Sequence, residues 1–316
     1  MRIEIWTIDS KKYCPEDITE ICFTQSAGIA CDSLSVSFKS TDLIQEITEV
    51  KAFDRGEFIF NGYCDQQRIC ECDKGFEISI FARSSASLLT DNEAEPFTYN
   101  MPSAKQLWFT FAKDFGFKFA LPDIQGNEKY EIVKGTSCYG AISQFVSLTT
   151  GDDIRVTPQN SITVLRKSED IKSLNFYNIL SAQAVINRSE PLSEICFKKN
   201  ASSAGYKMHT CAGVKKDMKL NDRKQYINLS SLPQWQREYT VTKKLKDSYK
   251  DYKILEVVVS GFVKDRMYQR FSYKSVIGDY SDYLLTEKKY IYDKNTERTK
   301  LVLKKDMDIK EITYVD

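Results

Sequence analysis

Alternating apolar and polar residues characterise the first ninety positions of the chain. Every second residue from position 34 to 38 is apolar and serines lie between, a pattern that predicts a half-buried antiparallel strand. Similar patterns predict strands at residues 57–63 and 76–81. The Asp73-Lys74-Gly75 segment between them predicts a turn, because glycine accepts the positive φ that turns often require. The first ninety residues are therefore predicted to form a small β-barrel or sandwich, followed by a short helix at residues 84–89.

The hydrophobic period changes to that of a helix in the middle of the chain. Apolar residues form one stripe along residues 101–116, where Pro102 suits the first turn and Gly116 suits the left-handed position after the last. A second stripe predicts a helix within residues 136–151. Two short strands follow at residues 154–157 and 161–166, joined by a turn at residues 158–160. This segment predicts a small α+β unit.

Strand patterns return in the last part of the chain. Residues 200–233 show little periodicity and are predicted to form loops with short strands. The lysine-rich residues 234–248 have apolar side chains at four-residue spacing, which predicts a helix. Strands are predicted at residues 183–187, 194–198 and 254–263, and in a hairpin over residues 284–307 whose turn spans residues 293–297. Two β modules that flank a mixed unit indicate an internal duplication.

Composition and charge narrow the functional classes. The 316 residues include 45 lysines and arginines and 44 aspartates and glutamates, so no overall positive field recruits nucleic acid or anionic lipid. The N-terminal residues contain no apolar signal region and no stretch is apolar enough to span a bilayer, so neither secretion nor membrane insertion is expected. Nine irregularly spaced cysteines in a chain of this size indicate reduced thiols and synthesis in a cytosol.

Three cysteines within nine residues raise the question of a metal or redox site. Cys70 and Cys72 are two positions apart on a predicted strand and would point to the same side, and Cys64 could join them from a neighbouring strand. Zinc requires about four ligands, but no second cysteine pair follows at a suitable spacing, and the single histidine, His209, lies far along the chain. Packed or surface thiols are the preferred interpretation, and a metal site is the alternative.

Other catalytic arrangements have less support. A single histidine excludes a two-histidine zinc motif, and His209 lies in a polar segment where an exposed bystander is the simpler interpretation. No Gly-x-Gly sequence is present to cradle a phosphate. Asp152 and Asp153 are interpreted as a solvated turn, and the basic runs at residues 215–219 and 243–250 as solvated faces. A carboxylate pair for glycoside cleavage stays open, because its separation exists only in space.

No catalytic, cofactor-binding or metal-binding residue is therefore assigned. The aromatic content indicates protein interfaces, because the 18 tyrosines and 18 phenylalanines are typical of the cores and interfaces of β modules. The sequence therefore favours a structural role in a protein assembly over a catalytic role.

A series of short motifs resembles the baseplate hub proteins of contractile phage tails, the late-control and spike-hub group that includes hubs of phage-tail-like bacteriocins. The first motif is a strand that ends in Phe60-x-Gly62-Tyr63-x-Asp65, followed by a turn, an alternating strand and the segment from Ala82 to Leu89 that runs into Asp91. The two predicted helices and the hairpin after them are similar in order to the middle domain of that group. Residues 189–200, 257–265 and 284–307 resemble its second barrel and closing hairpin.

This resemblance implies a fold and an assembly. The implied fold class is mainly β, with two tube-type β-barrel domains and a small mixed middle domain. The domains are predicted at residues 1–95, 96–168 and 169–316, the last with an inserted segment at residues 200–250. The implied assembly is a homotrimer whose six barrels form a ring of pseudo-sixfold symmetry. This ring would join a sixfold tail tube to a threefold central spike.

Partners and location follow from the same resemblance. It implies contacts with the tail tube protein, the central spike protein, other baseplate proteins and the tape measure protein, with no membrane or specific nucleic acid as partner. The protein would be made in the bacterial cytoplasm and assembled into the baseplate of a phage or phage-tail-like particle. Because the chain ends at Asp316 without a long β-helical extension, the spike is expected to be a separate polypeptide.

The sequence departs from the family pattern in two places, and other functions remain as alternatives. Asp293-Lys294-Asn295 replaces the usual glycine of the last hairpin turn, and residues 200–233 have no clear counterpart. A β-rich receptor or carbohydrate-binding tail module would also fit the tyrosines. A secretion-system spike hub is the nearest alternative, and a peptidoglycan-cleaving enzyme is the least supported.

Overall fold

The computed structural model describes residues 1–198, 207–210, 223–230, 232, 234–307 and 313–315. Most strands in this part of the chain belong to one 13-stranded sheet, which is accompanied by three smaller sheets. The buried apolar side chains form four separate clusters, two of which lie against the large sheet. The predicted mainly β fold with a small mixed unit is confirmed.

The N-terminal module forms one half of the large sheet. Its elements are β1 (Arg2–Thr7), β2 (Lys12–Tyr13), β3 (Asp17–Ser26), β4 (Ser33–Ser40), β5 (Ile47–Asp54), β6 (Glu57–Cys72), β7 (Gly75–Ser84) and the helix α1 (Ser87–Asp91). The predicted alternation is realised in β4, where Leu34, Val36 and Phe38 are buried in the core of the module. Strand β6 is longer than predicted, because it continues past position 63 to Cys72.

The middle unit packs two helices against short strands. Its elements are β8 (Phe97–Asn100), α2 (Ala104–Phe111), β9 (Lys118–Ala120), β10 (Lys129–Ile132), α3 (Cys138–Thr150), β11 (Asp153–Val156) and β12 (Ser161–Leu165). Serine caps start both helices, since Ser103 Oγ accepts from the Gln106 amide and Ser137 Oγ from the Gly140 amide. The first predicted helix is interrupted after Phe111 and continues as a 3-10 turn to Gly116, which adopts a φ of 80°.

The last part of the chain supplies the other half of the large sheet. Its strands in that sheet are β13 (Ile171–Ser173), β14 (Ile179–Ile186), β18 (Lys253–Ser260), β19 (Arg270–Ser275), β20 (Gly278–Asp293) and β21 (Thr296–Lys305). The predicted closing hairpin is confirmed as β20 and β21. Its turn needs no glycine, because the Asp293 carboxylate accepts the backbone amides of Asn295 and Thr296 at 3.0 and 2.9 Å. The hydrogen bond that the Thr296 hydroxyl donates to the same carboxylate, followed by those from the backbone amides, lowers the pKa of Asp293.

A small four-stranded sheet lies outside both halves. It contains β15 (Glu194–Lys198), β16 (Lys207–Thr210), β17 (Lys224–Asn228) and β22 (Thr313–Val315). The predicted helix is α4 (Gln234–Asp247), which buries Val241 and Leu245 against Ile195 and Phe197 of β15. The strand predicted at residues 194–198 is therefore confirmed, and it pairs within this small sheet. Most of the predicted loop segment 200–233 lies outside the described residues.

The glycine of the Phe60-x-Gly62 motif is required by a close approach of two strands. A Cβ atom on Gly62 would lie 2.1 Å from the carbonyl oxygen of Arg83 and 2.7 Å from the Phe60 ring. Because the first neighbour is backbone, it cannot rotate away, as a side chain could. Glycine in a strand interior often marks such a contact.

We expect Gly62→Ala to lower the free energy of unfolding by about 2–3 kcal/mol, because the two strands must separate to accept the methyl group. Gly28→Ala is the matched control, since a Cβ there meets no atom within 4 Å. Denaturant unfolding of both variants measures the difference. Equal stability of the two variants would contradict the steric explanation.

Candidate assembly interface

Arg83, near the end of β7, links the large sheet to the helix α1 that follows it. Its guanidinium donates to the Asp65 carboxylate at 2.5 Å and to the Asp91 carboxylate at 2.7 Å. Asp65 lies in a bulge of β6 and Asp91 is the last residue of α1, so one side chain ties the sheet to the helix. The Arg83 hydrogen bonds lower the pKa of Asp91. The motif that carried the family resemblance is thus a structural clamp.

The three closely spaced cysteines do not converge on a common point. All three lie on β6, so the expectation that Cys64 approaches from a neighbouring strand is wrong. At about 3.3 Å per residue, Cys64 and Cys72 are roughly 26 Å apart. Burial raises the pKa of the Cys64 thiol to about 11, whereas Cys70 and Cys72 are exposed. Among the described residues, no group of three potential ligands is arranged to hold a metal ion.

Asp152 and Asp153 lie at a cavity rather than in a solvated turn. The cavity has a volume of about 690 Å³ and is lined by parts of α3, α4, β20 and β21. Asp153 accepts a hydrogen bond from the Tyr268 hydroxyl at 2.6 Å, and Asp152 lies 4.0 Å from Arg166. Several lysines of the predicted basic run 243–250 reach the same space. Seven basic and five acidic side chains line the cavity, so it has no single charge that selects a ligand.

The remaining predicted residues add no site. His209 lies in β16, where its backbone faces Ile195 of β15. The basic run at residues 215–219 lies outside the described residues. No helix in the part of the chain that the structure describes is long and apolar enough to cross a membrane.

The two halves of the large sheet repeat the same strand arrangement. The hairpin of β6 and β7 corresponds to that of β20 and β21, because both first strands have 16 residues and both turns have two. Glu57 thus corresponds to Gly278 and Cys72 to Asp293, an offset of 221 positions. The register shift falls at Asp65 in one hairpin and at Thr286 in the other, which are also 221 positions apart. Bulges are specific features of a sheet, so this match supports a true internal repeat.

The correspondence extends to the outer strands of each half. Strand β4 pairs with β7 as β18 pairs with β21, again with an offset of 221 positions. Strand β3 pairs with β4 as β14 pairs with β18, and the bulges at Thr19 and Leu180 give these two strands an offset of 161 positions. The strand order β3-β4-β7-β6-β5 is therefore repeated as β14-β18-β21-β20-β19. We call residues 17–84 the first module and the strands β14 and β18–β21 the second module.

An inward polar side chain occurs at the same position in both modules. Lys288, only 4% exposed, donates to the carbonyl oxygens of Val263 and Asp265 at 2.9 and 3.2 Å. Its counterpart Gln67 donates to the carbonyl oxygen of Ile44, which corresponds to Asp265. Burial, together with the nearby positive charge of Arg155, lowers the pKa of Lys288 to about 8. Each side chain ties the long strand to a loop of its own module.

The modules join through antiparallel pairing of β3 with the second half of β20. Strand β20 pairs with β19 along its first half, where Leu284 is the last partner, and with β3 from Glu287 to Asp293. Tyr290 lies opposite Phe23 in this junction, and both side chains are buried. Phe262 contacts both rings, at centroid distances of 5.3 Å from Tyr290 and 6.5 Å from Phe23. The junction is thus a continuous piece of sheet with an aromatic core.

Two strand segments of at least seven residues in the large sheet have no second neighbour among the described residues. Residues 66–72 of β6 extend beyond the end of β5 and pair only with β7. Strand β14 pairs only with β18, and its residues Leu180 and Ile186 are 56% and 63% exposed. No charged residue or proline protects β14, although such edges are usually protected against pairing with other chains. These edges are the candidate assembly interface.

A buried ion pair fixes the middle unit to the first module. The guanidinium of Arg155 in β11 donates to both carboxylate oxygens of Asp32 at 2.7 Å. Gln25 also donates to Asp32, at 2.9 Å, which satisfies the same carboxylate from the first module. The sequence analysis missed both charged residues, because they are 123 positions apart and belong to no motif.

We expect Arg155→Met to lower the free energy of unfolding by about 3 kcal/mol, because the Asp32 carboxylate stays buried without its cation. Adding Asp32→Asn should recover part of that loss, since the isolated charge is then removed. A double-mutant cycle in urea measures the coupling. Additive effects of the two substitutions would contradict the clamp.

Lys288 gives stability a specific pH dependence. Its pKa in the folded protein is about 8, below the ordinary value of 10.5. Between these values the unfolded chain binds the proton and the folded chain does not, so stability rises with pH. The rise from pH 7 to 9.5 should be about 2 kcal/mol larger in the native protein than in Lys288→Met. Lys289→Met, whose side chain faces the other side of β20, should keep the native slope. Parallel slopes for Lys288→Met and the native protein would disprove the assignment.

Comparisons with known proteins identify the fold. Neither a scan against protein-family models nor a search of curated proteins finds a match. Among solved structures, the 43 kDa tail protein of prophage MuSo2 from Shewanella oneidensis gives a TM-score of 0.76 at 14% identity, covering 96% of this chain and 97% of that one. The tail protein from Neisseria meningitidis MC58 gives 0.76 at 16% identity, covering 96% of each chain.

A secretion-system component shares the same fold. The E. coli c3393 protein, described as a type VI secretion system component with structural similarity to the T4 tail proteins gp27 and gp5, gives a TM-score of 0.62 at 8% identity. The similarity covers all of this chain and 80% of that one. The chain therefore has the fold of prophage tail proteins, as the sequence resemblance implied.

Proposed function

We propose that the protein is a structural baseplate hub, in which three copies form a ring of pseudo-sixfold symmetry between a sixfold tail tube and a threefold central spike. The internal repeat of a five-strand module carries this proposal. Three copies of a chain with two equivalent modules present six similar units, which suit a sixfold neighbour. The middle unit and the small sheet occur once per chain, so they suit a threefold neighbour.

The proposed domains follow the same division. The first barrel domain comprises residues 1–95 and the second comprises residues 169–316 with an inserted segment at 200–250, while residues 96–168 form the middle domain. The ring would contact the tail tube protein, the central spike protein, other baseplate proteins and the tape measure protein. It would be assembled from chains made in the bacterial cytoplasm. Its function lies in shape and interfaces, without a catalytic step.

A spike hub of a secretion system is the second candidate. The similarity to the c3393 protein, a component of such a system, favours it. Both candidates use the same ring, and they differ in the tube to which it binds. Binding assays with tube proteins of each kind distinguish them.

The proposal predicts a ring-shaped trimer. We expect the purified protein to sediment as a trimer and to show a threefold ring with a central hole in electron-microscopy class averages. We also expect it to bind the tube protein on one side and the spike protein on the other, because the two sides differ in symmetry. A monomer that binds neither protein would refute the hub function.

A further inference from the structure

We infer that the free half of β6 in one copy pairs with β14 of a second copy, as an antiparallel continuation of the large sheet. The number of copies rests on the proposed function. The pairing itself follows from the internal repeat, which supplies both the strands and their register.

Among the described residues, each chain has one strand segment, residues 66–72 of β6, whose outer side is unpaired, and one strand, β14, that is equivalent to the strand missing there. In the second module, β20 pairs on one side with β19 and then with β3. In the first module, β6 pairs with β5 along residues 57–63, but residues 66–72 pair only with β7 and have no neighbour on their other side in the described chain. The strand that corresponds to β3 is β14, whose outer side is free. The place beside β6 is thus equivalent to the place beside β20 that β3 occupies.

The register of the known junction fixes the register of the inferred one. Tyr290 lies opposite Phe23, and the offsets of 221 and 161 positions place Ile69 opposite Ala184. The same transfer gives the pairs Gln66 with Asn187, Gln67 with Ile186, Arg68 with Val185, Ile69 with Ala184, Cys70 with Gln183, Glu71 with Ala182, and Cys72 with Ser181. A slip of one residue would turn every side chain to the wrong face of the sheet.

Solvent exposure of the equivalent residues agrees with a missing strand. Tyr290 is 1% exposed, because β3 lies beside it, whereas its counterpart Ile69 is 39% exposed. Ile69 lies opposite the fully buried Ile78 of β7, so it faces the core side of its module. On the other strand, Ile186 is 63% exposed. Pairing would cover both isoleucines and satisfy the backbone groups of the two edges.

Charge and strand chemistry favour a second copy as the occupant. Strand β14 has no charge, so Arg68 and Glu71 of β6 meet Val185 and Ala182 and no like charges oppose each other. Because the two edges of one contact belong to different modules, the contact is heterologous. Such contacts generate rings when the rotation closes. The junction of β3 with β20 shows the equivalent strand pairing once within each chain.

Cysteine cross-linking tests the register. In a Cys72→Ser, Gln183→Cys variant of the full chain, the native Cys70 would face the new thiol across the interface. Opposed residues of antiparallel strands have Cα atoms about 4.5–5.5 Å apart, which is within the range of a disulfide. Mild oxidation with diamide should link most chains into covalent dimers and trimers, visible on a non-reducing denaturing gel. Gln183 is exposed, so its replacement should not disturb folding.

Two controls make the result specific. Ala184→Cys in the same background turns the thiol to the opposite face and should link at least tenfold fewer chains. Adding Cys70→Ser to the Gln183→Cys variant should abolish linkage. Trimers in which Gln183→Cys links no better than Ala184→Cys would overturn the register and leave the hub proposal intact. Specific linkage in closed assemblies of another size would support the pairing and refute the trimeric hub. Monomers without linkage would overturn both.

Discussion

A strand that is longer than its hairpin partner needs a second neighbour, and this requirement organises the large sheet. Strand β20 continues past β19, and β3 covers the remainder, which joins the two ends of the chain in one sheet. This junction consists of backbone hydrogen bonding over seven residue pairs and the buried contact of Phe23 with Tyr290. Because backbone pairing requires no particular side chain, such a junction survives extensive sequence change.

The internal repeat preserves geometry where the side chains differ. Gln67 and Lys288 share neither charge nor shape, yet each donates to the equivalent loop carbonyl below its long strand. The bulges at Asp65 and Thr286 likewise conserve a position and not a residue. The two modules share the strand length, the bulge and the loop anchor. These are the features that determine where a neighbouring strand can pair.

Local features of the fold were predictable from sequence, and long-range ones were not. The helices of the middle unit follow from their 3.6-residue stripes, and Gly116 and Gly151 mark their ends. The continuity of β6 from Glu57 to Cys72 was missed because residues 65–72, all exposed except the half-buried Gln67, lack the alternation of apolar and polar residues that signals a strand. The pairing of β3 with β20 and the contact of Asp32 with Arg155 join distant positions, for which a single sequence gives no signal. The inward position of Lys288 was detectable from the sequence, because Lys288 lies two residues from the buried Tyr290 and therefore on the same face of β20.

Duplication within one chain also allows the two modules to differ outside the strands that they share. The first module is extended by β1, which runs antiparallel to β5, whereas the second is extended by β13, which runs parallel to β19. Helix α4 and three strands of the small sheet are inserted between β14 and β18 of the second module, and the fourth strand, β22, follows β21. In six separate identical chains, every such addition would appear six times. In the proposed ring each appears three times, so one surface can follow the tube while another follows the spike.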